Sequence, residues 1–151
     1  MPSQSTRESL DPRSAGAMRF KDKVCIVTGA GQGIGRAAAR RLGAEGGKIV
    51  VAERSQESAL ETTRQLVQAG VEAMASFADV SSFEEAERLV AFAVDHYGRL
   101  DVMVNVVGGT IWWQPFHLYT QEQILLELER WHCHVDEVLQ SGGSCINASD
   151  A

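Results

Sequence analysis

Short apolar runs alternate with longer segments of mixed polarity along most of the chain. The runs lie at residues 24–28, 49–52, 71–78 and 100–104, and their length and continuous hydrophobicity are typical of buried strands in a parallel sheet. A further short run at residues 144–147 predicts a fifth strand. Between the strands, apolar residues recur at the spacing of amphipathic helices. This alternation favours an α/β fold with right-handed crossovers and helices on both faces of the sheet.

The predicted helices carry start and stop signals. Ser55 is expected to cap a helix that runs to Ala69. Residues 81–85 offer overlapping capping boxes to another helix, and Thr120 with Gln123 forms a capping-box pair for a later one. Glycines end the first three helices, at Gly46-Gly47, Gly70 and Gly98. The apolar faces expected to point inward are Ile34, Ala37, Ala38 and Leu42 in the first helix, Ala86, Leu89, Val90, Ala93 and Tyr97 in the third, and Ile124, Leu128, Trp131, Val135 and Val138 in the last.

Length and composition indicate one globular domain. The 151 residues are 44% hydrophobic and 23% charged, with only 3 prolines, unlike a disordered chain. Residues 1–17 are polar without a periodic apolar face and are expected to be a disordered extension, so the domain spans residues 18–151 and Met18 is an alternative start. The chain holds no apolar stretch long enough to cross a bilayer and no secretory leader. We therefore expect a cytoplasmic protein.

Charge and cysteine spacing exclude several functional classes. A net charge of −6 and a pI near 5.2 disfavour nucleic acid or a membrane as partner, because anionic surfaces need a basic footprint. Cys25, Cys133 and Cys145 lack Cys-x-x-Cys spacing, so we expect reduced thiols. The His-Cys-His run at residues 132–134 carries potential zinc ligands, but neighbours on a helix point about 100° apart and do not converge on one ion. No metal site is predicted.

A glycine-rich segment, Thr-Gly-Ala-Gly-Gln-Gly-Ile-Gly at residues 28–35, ends the first strand and opens the first helix. Gly29 permits a tight turn, Gly33 lets the backbone approach a pyrophosphate, and Gly35 allows close packing of helix on sheet. A simple chain reversal would also use glycines. The flanking strand and helix nevertheless favour a dinucleotide site, with the anion at the helix N-terminus.

An acidic residue follows at the end of the second strand. The Glu53 carboxylate is placed to accept hydrogen bonds from the hydroxyls of an adenosine ribose. It would repel the extra phosphate of NADP, and the neighbouring Arg54 offsets that repulsion only in part. NAD is therefore the predicted cofactor, in preference to NADP. The alternative is a solvated acid at a strand end.

Three motifs in register resemble the short-chain dehydrogenase/reductase family. They are the glycine segment, Asp79-Val80 after the third strand, and Asn105-Val106-Val107-Gly108 after the fourth. The resemblance implies a Rossmann-like, doubly wound parallel sheet in three layers, with strand order 3-2-1-4-5 and NAD at the carboxyl ends of the strands. It also implies that Asp79 contacts the adenine edge with Val80 beside the ring; Val106 stands where the family has a second Asn. The implied cofactor-binding residues are Thr28, Gly29, Gly31, Gln32, Gly33, Ile34, Gly35, Glu53, Arg54, Asp79, Val80, Asn105, Val106, Val107 and Gly108.

A narrower resemblance rests mainly on one loop. Residues 107–116, with Tyr119 and Gln123-Ile124, are similar to the bacterial cis-dihydrodiol carboxylate dehydrogenases. That resemblance implies hydride transfer from an aromatic-derived cis-diol to NAD. Apolar walls near the nicotinamide would suit a ring substrate, and the implied substrate residues are Gly109, Thr110, Ile111 and Trp112. The alternative is that the aromatic residues of this loop only pin it to the core.

The catalytic residues of the family are the weakest part of the resemblance. Family members combine a Ser with Tyr-x-x-x-Lys, and no Tyr-x-x-x-Lys occurs in the 151 residues. Ser149 or Asp150 falls at the family's Ser position. We therefore expect a C-terminally truncated domain that lacks the family's last strands and has an incomplete catalytic half. Alternatives are a catalytically silent nucleotide-binding or interaction module and a frameshifted gene product. Such a chain is expected to form homo-oligomers or to pair with an intact homologue, through Ile124, Leu128, Trp131 and the strand near Ile146.

Overall fold

The computed structural model describes residues 18–108 and 114–126. Strands and helices alternate through them, in the order β1 Val24–Thr28, α1 Gly33–Ala44, β2 Lys48–Glu53, α2 Gln56–Gln68, β3 Ala73–Phe77, α3 Phe83–Tyr97 and β4 Val102–Val104. A 3₁₀ turn at Phe116–Leu118 and a helical segment at residues 121–126 follow. The predicted extension at residues 1–17, the fifth strand and most of the last helix lie outside the described residues. Within those residues, no helix is both long and apolar enough to cross a membrane.

The four strands form one parallel sheet in the order β3-β2-β1-β4. β1 is central, so that Ile26 pairs with Val50 of β2 on one side and with Met103 of β4 on the other. The chain winds outward from β1 in one direction to β3 and then crosses back to β4. Such a reversal leaves a crevice at the carboxyl ends of the two strands on either side of it, which is where ligands bind in sheets of this kind. The predicted Rossmann-like sheet is confirmed, and its order is 3-2-1-4 over the described strands.

The core has two halves, one on each face of the sheet. Cys25, Val27 and Val51 pack with Leu42 of α1 and Leu66 of α2. On the other face, the core cluster consists of Val24, Ile26, Val50, Ala52, Ala78, Val80, Leu89 and Ala93, the last two from α3. Two helices therefore cover one face and one covers the other, which gives the three predicted layers.

The buried face of α1 agrees only in part with the predicted one. Ile34 is 78% exposed and Ala37 is also exposed, whereas Ala39 and Leu42 are buried together with the helix glycines. The reason is close packing of small residues: a Cβ added to Gly35 would lie 2.2 Å from the carbonyl oxygen of Gly29. Leu42 and Ala38 meet the core as predicted. Ile34 and Ala37 do not, because this helix approaches the sheet through its glycines.

The helix caps follow the predictions at α2 but not at α3. The Ser55 hydroxyl accepts a hydrogen bond from the amide of Ser58, as an N-cap should. Ser82 occupies the N-cap of α3 without such a bond, and the Glu85 carboxylate accepts from the amide of Asp79 instead, at 2.6 Å. The capping boxes predicted for residues 81–85 are therefore wrong. The reciprocal pair of Thr120 and Gln123 does form, with distances of 3.0 and 3.2 Å.

Candidate functional site

A cleft of about 930 Å³ opens at the carboxyl ends of the four strands. This volume is near the upper end of the range, roughly 300–1,000 Å³, found for small-molecule sites. Each wall of the cleft comes from the segment that follows one strand. The lining residues are Gly29, Gln32, Gly33, Ile34 and Gly35 after β1, Ala52, Glu53 and Arg54 at β2, Ala78, Asp79, Val80 and Ser81 after β3, and Val106, Val107 and Gly108 after β4.

The turn between β1 and α1 lines the cleft with glycines. Gly29 and Gly33 adopt φ angles of +63° and +53°, which only glycine takes without strain. A Cβ added to Gly33 would meet no protein atom within 4 Å, so this position faces open space in the cleft. Within α1, which lies wholly in the described part of the chain, the N-cap Gln32 makes no side-chain capping bond and the first turn holds no acidic residue. The first-turn amides have no intrahelical partner, so this end of α1 offers N–H donors to a bound anion.

A hydrogen-bond network surrounds Gly31 behind the turn. Its amide donates to Glu53 Oε2 at 3.1 Å, and its carbonyl accepts from Thr62 Oγ1 at 3.3 Å and from Arg36 Nη2. Arg36 Nε also donates to Thr62 Oγ1 at 2.9 Å. Arg36 and Thr62 were not predicted as part of the site, because a charged or hydroxyl residue on a helix carries no sequence signal that it contacts this turn.

Glu53 lies where the sequence analysis placed it, at the end of β2 and in the wall of the cleft. Besides the bond from Gly31, its carboxylate accepts from the amide of Arg54 at 2.8 Å. A carboxylate oxygen has more than one lone pair, so these bonds leave acceptor sites for a ligand hydroxyl. The Glu53 carboxylate therefore both holds the turn at Gly31 and faces the cleft.

Asp79 places a second carboxylate at the cleft, after β3. Its Oδ1 accepts from the hydroxyl of Ser81 at 2.6 Å and from the Ser81 amide at 3.1 Å. These bonds, with the nearby Arg54 guanidinium at 3.7 Å, lower the pKa of Asp79 below its ordinary value of 3.8. The carboxylate is therefore ionised at neutral pH and fixed in orientation. It can accept a hydrogen bond from a ligand in the cleft.

Thr28 joins the carboxyl ends of β1 and β4 behind the cleft. Its buried hydroxyl accepts from the amide of Val106 at 3.1 Å and donates to the carbonyl of Val104 at 3.4 Å. Thr28 therefore does not line the cleft, although it holds the Val106 segment in the cleft wall. Asn105, which is exposed, and Gly31 are also absent from the lining residues. The other twelve predicted cofactor residues line the cleft.

Several predicted residues cannot be placed. Gly109, Thr110, Ile111 and Trp112 lie outside the described residues, and so do Ser149 and Asp150. Three cleft residues were not predicted, namely Ala52, Ala78 and Ser81. Ala52 lies one residue before the end of β2 and Ala78 directly after β3, and neither side chain has a functional group that would mark it in the sequence. Among the described residues, no three His, Cys, Asp or Glu side chains are grouped so that they could hold a metal ion.

A dinucleotide fits the chemistry of this donor set. Free amides at the start of α1 suit a pyrophosphate, the open Gly33 position admits its close approach, and the Glu53 carboxylate suits a ribose diol. The residues that line the cleft come from all four strand ends, so an extended ligand could contact every strand end.

Comparison with known proteins identifies the same family that the motifs suggested. A family model described as short chain dehydrogenase matches residues 23–129. A 1,6-dihydroxycyclohexa-2,4-diene-1-carboxylate dehydrogenase of Pseudomonas putida is 41% identical, over 87% of this chain and 51% of the relative. The protein of the same name from Acinetobacter baylyi is 39% identical, over 87% of this chain and 53% of the relative. The chain thus spans about half the length of the curated relatives it matches.

Solved structures show the same fold. A short chain dehydrogenase from Mycobacterium smegmatis has a TM-score of 0.74 at 33% identity and covers 83% of this chain and 52% of its own. A xylitol dehydrogenase with bound NAD+ has a TM-score of 0.73 at 31% identity, over 82% and 47%. An actinorhodin polyketide ketoreductase with NADPH has a TM-score of 0.66 at 37% identity, over 79% and 47%. From its motifs, its sheet and these matches, the chain belongs to the short-chain dehydrogenase family.

Proposed function

We propose that the cleft binds NAD in preference to NADP, and that the chain is the cofactor-binding part of a dehydrogenase of aromatic-derived cis-dihydrodiols. The observation that carries the proposal is the open, amide-lined turn at Gly33 with the Glu53 carboxylate beside it in one cleft. The first feature suits a pyrophosphate, and the second suits an unphosphorylated ribose.

The cofactor preference rests on local charge. Solved relatives carry NAD+ or NADPH, so the fold alone does not choose between them. In this chain the Glu53 carboxylate bonds to the turn and lines the cleft, where it would repel a 2′-phosphate. The Arg36 guanidinium also bonds to the turn but does not line the cleft. Arg54 is 81% exposed and lies within ion-pair distance of Asp79, so its positive charge is shared and screened by solvent. The balance favours NAD.

Each wall of the cleft has a defined task in this proposal. The amides at the start of α1 hold the pyrophosphate, and Asp79 with Val80 borders the adenine. Val106, Val107 and Gly108 line the side along which the rest of the dinucleotide would lie. When bound, NAD+ accepts a hydride from the carbon that is oxidised. In this proposal the described residues bind the cofactor and orient it along the cleft.

The substrate class is proposed from the two relatives named above. Both are dehydrogenases of 1,6-dihydroxycyclohexa-2,4-diene-1-carboxylate, and each aligns with 87% of this chain. Residues 109–112, which the sequence resemblance implies in substrate binding, directly follow Gly108 of the cleft wall. A ring-shaped cis-diol carboxylate is therefore the substrate that we propose for the whole protein.

Titration calorimetry with NAD and NADP tests the cofactor assignment. The wild-type chain should bind NAD more tightly. Glu53→Gln keeps an acceptor for the Gly31 amide but removes the charge, so it should narrow the preference by about tenfold, the effect of one interaction of about 1.4 kcal/mol. Glu53→Ala should narrow it as well. Glu57→Gln, at an exposed site in the first turn of α2, makes the same charge change outside the cleft lining and serves as the control. Equal affinity of the wild type for both cofactors would contradict the proposal.

A further inference from the structure

The peptide groups of Gly31 are held on both sides by different elements. Its amide donates to Glu53 at the end of β2, and its carbonyl accepts from Arg36 of α1 and Thr62 of α2. Gly31 itself is buried, and a Cβ added there would lie 2.7 Å from Glu53 Cγ and from Ser58 Cβ. One residue of the turn is thus the meeting point of β2, α1 and α2.

The direction of the Gly31 carbonyl decides what the turn presents to the cleft. Thr62 is fully buried and does not line the cleft, so a carbonyl bonded to its hydroxyl points into the protein. If the peptide between Gly31 and Gln32 were flipped, a carbonyl oxygen would replace an N–H toward the cleft. A carbonyl dipole in that direction repels a phosphate, whereas the amides at the start of a helix attract it.

Arg36 is suited to prevent that flip. The guanidinium donates to the Gly31 carbonyl oxygen and, through Nε, to Thr62 Oγ1 at 2.9 Å. It therefore holds both the carbonyl and the Thr62 hydroxyl that donates to that carbonyl. A guanidinium is planar and makes two such bonds in a rigid geometry. Hydrogen bonds from a charged donor are stronger than neutral ones. Arg36 is absent from the lining of the cleft, so it acts on a ligand only through the turn.

We propose that Arg36, together with Thr62, is a positioning residue that keeps the Gly31 carbonyl turned away from the cleft, so that the turn offers amides to the phosphates of a dinucleotide. This inference rests on the proposed function, because it concerns the same cleft. It assigns a role in phosphate binding to two side chains that do not touch the phosphate.

The test compares ligands with and without phosphates. Adenosine, ADP and NAD are titrated into the wild-type chain and into Arg36→Met, Thr62→Val and Thr62→Ser. In Arg36→Met and Thr62→Val the dissociation constants of ADP and NAD should rise about tenfold, the usual effect of losing one charge-assisted hydrogen bond. That of adenosine should change little. Thr62→Ser keeps the hydroxyl and should behave as the wild type. Arg40→Met, at an exposed position on the same helix, is the matched control.

The outcomes separate this inference from the proposed function. A merely structural role for Arg36 would lower the melting temperature and weaken adenosine and ADP by the same factor, which would overturn the inference. Unchanged ADP affinity in a folded Arg36→Met would also overturn it, while NAD binding by the wild type still supported the proposed function. A wild-type chain that binds neither ADP nor NAD would refute both. Should Arg36→Met not fold, Arg36→Lys replaces it: a single ammonium cannot reproduce the paired bonds, so the ADP-to-adenosine ratio should again shift.

Discussion

Replacement of Gly33 by alanine should strongly weaken NAD binding at little cost to the fold. Gly33 has a φ of +53°, and a left-handed conformation costs a residue with a Cβ about 1–2 kcal/mol. No protein atom lies within 4 Å of the added Cβ, so no steric cost is added within the free protein. The methyl group would instead occupy the surface that a pyrophosphate must approach. If two hydrogen bonds to the phosphates are lost, at about 1.5 kcal/mol or more each, affinity should fall at least about 100-fold.

Gly70 provides a matched control for this change. It has a φ of +82°, follows α2 outside the cleft lining, and also has no atom within 4 Å of an added Cβ. Gly70→Ala should therefore lower the melting temperature as much as Gly33→Ala does, by about 2–8 °C for a domain of this size. Its affinity for NAD should equal that of the wild type.

The assay combines thermal melting with titration calorimetry on the three chains. The two variants should melt together and differ only in NAD binding. Retained NAD affinity in Gly33→Ala would refute the reasoning, because it would show that the backbone at Gly33 does not face the phosphates. A much lower melting temperature for Gly33→Ala than for Gly70→Ala would show that the position is not open in the free protein.

Three further predictions concern stability and turnover. Gly35→Ala should destabilise the fold by about 1–3 kcal/mol, more than Gly33→Ala, because its Cβ would lie 2.2 Å from the Gly29 carbonyl oxygen; equal denaturant midpoints for the two variants would contradict this. Bonds from Arg19 lower the pKa of Glu45 from 4.5 to about 2, and bonds from Arg99 lower that of Asp101 from 3.8 to about 2. Their stabilisation is complete above pH 4.5 and lost toward pH 2, so the melting temperature should fall across that window, and less steeply in Glu45→Gln. The 151-residue chain should not oxidise 1,6-dihydroxycyclohexa-2,4-diene-1-carboxylate efficiently, because a positioned base contributes about 10²–10⁴ in rate and no Tyr-x-x-x-Lys occurs in it; NADH absorbance that appears rapidly and is lost in Asp150→Asn would reveal a substitute base.

β1 and β2 could be predicted because their burial is continuous. All five residues of β1 and the four middle residues of β2 are buried between two helical layers, and only uninterrupted apolar runs satisfy that environment. β3 is less exact: the apolar pattern suggested residues 71–78, and the strand is Ala73–Phe77. It lies at the edge of the described sheet and is only half-buried, so the pattern marks its ends poorly.

Helix packing was harder to predict than strand position. Size and hydrophobicity indicated Ile34 as a core residue, but the close approach of α1 at Gly35 turns Ile34 toward the cleft. A ligand-facing apolar residue and a core residue look the same in a hydrophobic pattern. The capping boxes predicted at residues 81–85 do not form, because the Glu85 carboxylate accepts from the amide of Asp79 instead. Asp79 follows the end of β3, and its position depends on the tertiary fold, which the capping pattern does not describe.

The cleft could be predicted only as far as its residues form local motifs. Glu53 and Asp79 lie at or just after a strand end, and Gly33 ends the turn that follows β1. Parallel strands bring their carboxyl ends to one edge of the sheet, so these residues meet in one cleft. Thr62 is 31 positions from Gly31, and only the packing of α2 beside α1 joins them. The supporting network therefore becomes visible only in three dimensions.

Amide hydrogen exchange with and without saturating NAD tests the central claim most directly, because it maps the cofactor onto the chain without any substitution. We expect NAD to slow exchange at residues 31–36, and to a lesser degree at residues 53–55, 79–81 and 106–108, while the end of α3 at residues 94–98 exchanges as before. Unchanged exchange at residues 31–36 under saturating NAD would contradict the account.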